Sequence, residues 1–231
     1  MATANVSNFL ELENALTDNG VLKVVVNNDI KFANTISPVG TKILQPKCGL
    51  DAVTFTRELF FGDKFFYLDN HVKLVLKNIH IDGKGTPVIG EGAGFQLYDG
   101  NDENDGAVLD LRNNSSIDNC VSLSVGGGVA IGNFSVLTMR GNASINKCKA
   151  QNSAGISNIG GSVFLRGNSS INECVATSGD GGAIRNLGTI DMCGSSSINC
   201  CFANGLGNGV FHEIGLFTMR GNSSICCIIN D

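Results

Sequence analysis

Hydrophobic and polar positions alternate in short bursts along this chain, and in the second half the bursts recur with a fixed period. The segments LDLRNNSSIDNC, LTMRGNASINKC, VFLRGNSSINEC, IDMCGSSSINCC and FTMRGNSSICCI begin at residues 109, 137, 163, 190 and 217. Their central isoleucines, Ile117, Ile145, Ile171, Ile198 and Ile225, lie 28, 26, 27 and 27 residues apart. A period in the twenties marks a solenoid whose coils stack on one another. Within a repeat, Leu137-Thr138-Met139-Arg140 alternates apolar and polar, the period of a strand with one buried face. Gly141-Asn142 makes a corner and Ser144-Ile145 starts a second strand. The Gly-rich stretches around Val129, Ile156, Ile184 and Val210 supply a third. Three strands and three corners per coil are predicted, about seven coils in all. The glycines exclude a helix of ten or more residues.

The first half has the same texture with less regularity. Strands are predicted over 21–26, 42–45, 65–68, 72–76 and 79–81. Before them, Asn8 and Glu11 form a capping box, and Phe9, Leu12, Ala15 and Leu16 share one helical face that ends at Asn19-Gly20. A short helix of this kind would cover the open end of the first coil. The chain therefore reads as one domain, 1–231. It has a helical cap over 1–20, irregular coils over 21–106 and regular repeats over 107–231. The last repeat stops without a capping element, so the chain is expected to be part of a longer polypeptide.

Stacking about 4.8 Å apart turns each column of the alignment into a ladder. The isoleucines form one apolar ladder, and Leu111, Met139, Leu165, Met192 and Met219 form another. Asn146, Asn172 and Asn199 align, with Asp118 at one end and Cys226 at the other. Their amides can bond from coil to coil. Cys120, Cys148, Cys174 and Cys201 align, followed by Ile228, which points to an inward column read as reduced, buried thiols, with cross-linking between coils as the alternative despite its poor Cβ geometry. Cys200 and Cys227 share the next column, are expected to point outward and are the best disulfide candidates.

Arg112, Arg140, Arg166 and Arg220 share an outward column interrupted by Cys193. It is the candidate ligand-binding strip, suited to an anionic chain, against the plainer alternative of a solvated row.

Composition narrows the function classes. Charged residues are 16% of the 231, net charge is −5 and Trp is absent. No Lys/Arg block is present, so nucleic acid is not an expected partner. No apolar run is long enough for a membrane span, and the start lacks the basic and apolar regions of a signal peptide. No cysteine spacing fits a zinc site. The acidic loop over 98–106 lacks the twelfth-position Glu of an EF-hand. No metal and no cofactor are expected. The Asn-x-Ser sequons at Asn114, Asn133, Asn142, Asn168 and Asn222 read as corner residues.

Gly181-Gly182-Ala183-Ile184 resembles the GGAI motif of chlamydial polymorphic outer-membrane proteins. The run over 107–228 is similar to the repeats of adhesin-like β-helix proteins. The resemblance implies an all-β, right-handed parallel β-helix and an extracellular or cell-surface adhesin-like module. Its partners would be a polysaccharide or a host or cell-surface protein. Other β-helix proteins process polyuronates, so the acids matter. Asp110 and Asp191 share a column but lie three coils apart, roughly 14 Å at the strand spacing, beyond the separation glycoside hydrolysis needs. His71, His80 and His212 have no Ser, Cys or Asp partner within a motif. No catalytic residue is assigned. A polysaccharide-active enzyme with its cleft in loops of the first half, or an inert spacer, is the alternative.

Overall fold

A computed structural model describes residues 2–227 except 60 and 103. The chain winds as a parallel β-helix whose walls are sheets of nine, eight, six and five strands, every pairing parallel. One regular coil runs Val108–Arg112, Ser116–Asp118, Val121–Ser122 and Val129–Ile131, one strand in each sheet, before re-entering the first at Val136–Met139. Such parallel crossovers are right-handed.

Two expectations need correction. From Pro87–Val88 onward each coil has four strands, not three; the extra wall consists of two-residue strands such as Lys149–Ala150 and Val175–Ala176, too short to leave an alternating pattern. The longest sheet has nine rungs where about seven coils were expected. The additional rungs come from the irregular first half, from Ala2–Val6 in particular.

That first strand also corrects the assignment of 1–20 to a helical cap alone. Ala2–Val6 pairs with Val21–Val26 as the outermost rung of the nine-stranded sheet. The helix Phe9–Thr17 lies between them in sequence and occupies the place of the other walls in that turn. Its cap is formed with one departure from the expected box: the Asn8 side chain accepts from Glu11 N–H, while Glu11 accepts from the N–H of Ser7, one residue before the cap, and from the Asn8 amide. Leu12, Ala15 and Leu16 are buried, and the Phe9 ring meets Phe32 edge-on at 5.3 Å. The helix thus seals the core beneath the first rung. Among the described residues no helix is long and apolar enough to cross a membrane.

The core is a set of ladders. Ile81, Ile117, Ile145, Ile171, Ile198 and Ile225 stack in register, as do Leu111, Met139, Leu165, Met192 and Met219. In the last described coil Ile225 and Met219 are exposed. Toward the N-terminal end phenylalanines replace the aliphatics. Phe32 lies 5.1–5.3 Å from Phe9, Phe55, Phe65 and Phe66, and Phe66 stacks on Phe95. Burying one such side chain contributes roughly 1.5–3 kcal/mol.

Two buried cations stitch the irregular coils. Lys42 points inward, and its ammonium donates to the carbonyls of Asp18 and Val21 just past the helix. Arg57 donates to the carbonyls of Asp63, Gly83 and Ala93, while its guanidinium lies 4.4 Å from the Phe65 ring centre. One side chain thereby holds three loop segments against an aromatic wall. Replacing Arg57 by Met removes donors from three carbonyls, two of them reached by buried bonds. At roughly 1–3 kcal/mol for each buried group left unpaired, Arg57→Met should lower stability by about 3 kcal/mol in urea unfolding. A loss under ~1 kcal/mol would show that water replaces the guanidinium.

Candidate functional site

The outer face of the eight-stranded sheet carries a groove of 630 Å³ that runs across several coils. Its floor is built by strands of the form Ser-Ile-Asn, whose central residue is inside and whose flanking residues face out. The amide ladder is formed as expected. Asn146 donates to Asp118, Asn172 to Asn146 and Asn199 to Asn172, at 2.7, 2.8 and 2.9 Å. Each amide also donates to the serine two residues earlier, Ser144, Ser170 or Ser197, at 2.9 Å. Both amide protons are therefore committed within the ladder. The floor still offers the second lone pair of each amide oxygen.

The groove wall is the next corner, formed by Asn119, Lys147, Glu173 and Cys200 in successive coils. All four have left-handed backbone, φ 51–54°. An L-residue other than Gly or Asn pays roughly 1–2 kcal/mol there. The preceding corner has the same geometry but is filled by Asn78, Asn113, Gly141, Gly167, Gly194 and Gly221. At Lys147, Glu173 and Cys200 the wall thus retains side chains where the backbone disfavours them, and strain of this kind collects at functional positions. Beyond the corner the cleft continues past Lys84 and Lys149. Asp82 and Lys84 pair at 2.7 Å, and Lys147 and Glu173 stand 3.9 Å apart.

At the N-terminal end of the groove the coils bring together His80, Ser116 and Asp118. His80 Nδ1 lies 2.7 Å from Ser116 Oγ, which donates to the Asp118 carboxylate. The histidines lack a partner within a sequence motif, as read, but find partners across coils. His71 lies 3.3 Å from Asp105, and His212 faces Asn186 at 2.9 Å. These partners are 26–36 residues away in sequence, so no local motif could reveal them.

The arginine column lies on the nine-stranded sheet. Arg112 and Arg140 both reach Asp110, at 2.5 and 3.1 Å, and Arg220 and Arg166 reach Asp191, at 2.6 and 3.8 Å. Arg166 also lies over Phe164, 5.1 Å from the ring centre. Asp110 is almost sealed from solvent, so two acids offset half of the four arginine charges and separate the like charges that the column would otherwise stack. The strip and the groove occupy different walls.

Cys120, Cys148, Cys174 and Cys201 are buried and free. The thiols of Cys148, Cys174 and Cys201 point at the carbonyls of Asn146, Asn172 and Asn199, and that of Cys148 also at Ile117. All of Cys120, Cys148 and Cys174 are held well above the ordinary thiol pKa. The bond with Cys148 is the main cause for Cys120 and burial for Cys148. For Cys174 the bond with Cys148 pulls down, but the bond with Cys201 and burial outweigh it. Cys200 faces outward as expected, but the expectation for Cys227 is overturned. Cys226 pairs with Asn199 in the strand register, yet Cys227 turns inward, and its sulfur accepts from Cys201 N–H at 3.4 Å. Cys200 stays exposed, and both thiols are free. With the partner coil at its edge, Cys227 fills the hole beneath Cys201 instead of facing water. Ile228, placed in this column from the sequence, lies outside the described residues, as does Glu103 of the acidic loop.

A second amide ladder was missed. Asn158 and Asn186 are fully buried; Asn158 donates to Asn186 at 2.6 Å and to the Gly161 carbonyl, and Asn186 donates to that of Gly188. The recurrence Ile156-Ser157-Asn158 and Ile184-Arg185-Asn186 was its signal. Among the described residues no group of three His, Cys, Asp or Glu side chains is placed to hold a metal ion.

A stack of parallel coils with a polar groove on one wall defines a β-helix that presents side chains in rows. The family of pectate lyase-like adhesive domains matches residues 3–126, more than half of the chain, and the chain belongs to that family. No curated protein matches. A solved structure titled L. reuteri 53608 SRRP is similar at 15% identity and TM-score 0.42, covering 97% of this chain and 100% of that one. The assignment rests on the family match.

Two outcomes follow from the wall and the thiols. Glu173→Asn, which suits the left-handed corner, should stabilise the protein by about 1 kcal/mol; an unchanged urea midpoint would show that the corner is unstrained. Under native conditions Cys48, Cys200 and Cys226 should react with a thiol reagent. Cys120, Cys148 and Cys174 should react only after unfolding. Fast native labelling of the buried column would contradict the closed core.

Proposed function

We propose that this protein is a non-catalytic adhesive module of the cell surface that holds a hydroxyl-rich chain, a polysaccharide, in the groove of the eight-stranded sheet. The observation that carries this reading is the corner wall bordering the groove, where Lys147, Glu173 and Cys200 are kept as side chains against backbone preference. Amide oxygens repeating once per coil, with the polar side chains of the wall beside them, match a polymer of sugar hydroxyls. The mixed charges of Asp82, Lys84, Lys147 and Glu173 favour a chain without strong net charge.

The His80, Ser116 and Asp118 chain does not favour catalysis. A serine nucleophile needs its proton directed at a histidine that a carboxylate orients. Here the serine stands between the two and gives its proton to Asp118. The arginine strip would serve as a secondary contact for anionic groups, with half its charge offset by Asp110 and Asp191.

The test is retention on immobilised neutral and acidic polysaccharides with release of short products recorded together. Retention without products is expected. Lys147→Ala and Glu173→Ala should each weaken it about fivefold, the equivalent of ~1 kcal/mol per lost polar contact. Product release would make the protein an enzyme. Loss of retention only in Arg140→Ala with Arg166→Ala, together with strong salt sensitivity, would move the binding face to the arginine strip. Failure to retain any polysaccharide would turn the search to a protein partner.

A further inference from the structure

A separate pocket of 190 Å³ opens on the six-stranded sheet, away from both the groove and the arginine strip. Its back is the outward column Tyr67, Gln96 and Ala130 on successive rungs. Tyr98, Glu91 and Asp99 close its sides. These are the only two tyrosines of a chain that lacks tryptophan, and both face this one cavity.

Parts of the pocket are held in place and parts are unused. Asn101 donates to the Tyr98 hydroxyl at 3.1 Å, and the Tyr98 carbonyl accepts from Ser135 at 2.6 Å. Asp99 accepts from the backbone and side chain of Asn133 at 2.8 and 2.6 Å. Gly132 allows that corner to close, since a Cβ there would stand 2.5 Å from the Asp99 Cα. The polar ends of Tyr67, Gln96 and Glu91 have no hydrogen-bond partner among the described residues.

We infer that this pocket binds a single sugar ring, uncharged or amine-bearing, independently of the groove. Two aromatic rings offer faces for the C–H side of a pyranose. A carboxylate, an amide and a phenol supply acceptors and donors for adjacent hydroxyls. The size argues for one unit, as pockets for drug-sized ligands hold roughly 300–1,000 Å³. Charge sets the class. Glu91 and Asp99 line the pocket without any Lys or Arg, so a sugar carboxylate would be repelled and an ammonium group tolerated. Burial, then Asp69, raises the Tyr67 pKa, which keeps its hydroxyl a donor at neutral and mildly alkaline pH.

Tyrosine fluorescence reads this pocket alone, because no other tyrosine or tryptophan is present. The intact chain is titrated with glucose, galactose, N-acetylglucosamine, glucosamine and galacturonate, with saturation-transfer NMR as a second readout. At least one uncharged or amine-bearing sugar should give a saturable change that galacturonate does not. Gln96→Ala and Glu91→Gln should each weaken it at least fivefold with unchanged circular dichroism and thermal unfolding. Lys147→Ala in the groove should leave it intact. The proposal is overturned by no saturable change in either readout, by galacturonate binding as tightly, or by both pocket variants binding like the parent.

Discussion

Everything in this molecule depends on the parallel backbone ladder between coils. Each rung must return to the same register about 4.8 Å above the last, so a residue's neighbours are set by its column. One ladder then serves several purposes. The isoleucine column is continuous from Ile81 to Ile225 because an inward branched side chain meets its like above and below. The asparagine column is continuous because an amide, having both donor and acceptor, can pass a hydrogen bond from coil to coil. Cysteine suits the narrow inward corner as a small apolar group whose thiol still reaches a carbonyl.

The same constraint governs where the fold departs from repetition. In the first half coil lengths vary, loops of unequal size must be tied down, and backbone carbonyls are left facing inward. Lys42 and Arg57 meet that need with long side chains that carry several donors. Neither makes a buried ion pair; both bind carbonyls. Repeats solve the same problem with short side chains, as Asn158 and Asn186 do.

Legibility in the sequence follows this division. The solenoid, its period, the isoleucine, methionine and asparagine ladders and the Asn8–Glu11 cap could be read, since each is a local pattern or a repeat of one. The two-residue wall could not, because a pair such as Lys149-Ala150 has no period. Ala2–Val6 was obscured because its partner strand lies beyond the helix. Arg57 was hidden because its strand, Val53–Arg57, was not among those expected, and a charged residue argues against the inward face that it shares with Val53 and Phe55. The groove was half visible. Its floor is the asparagine ladder, but its wall is defined by backbone φ at Asn119, Lys147, Glu173 and Cys200, which residue type does not report. The arginine column was visible as a row, whereas its pairing with Asp110 and Asp191 depends on which coils those acids reach.

A fold governed by columns also separates stability from recognition. Inward columns tolerate little, because a change at Ile145 is felt by the coils on both sides. Outward positions vary from coil to coil without disturbing the ladder: the groove wall reads Asn, Lys, Glu, Cys over a floor that hardly changes. A surface built this way can vary its chemistry one rung at a time while keeping a constant spacing. The strain at the wall is the energetic counterpart of that freedom. Glycine would relieve it and leave the corner bare, as in the preceding corner from Gly141 to Gly221. From Gly141 onward the two corners share left-handed backbone but differ in content, one bare and one furnished, and the furnished one borders the groove.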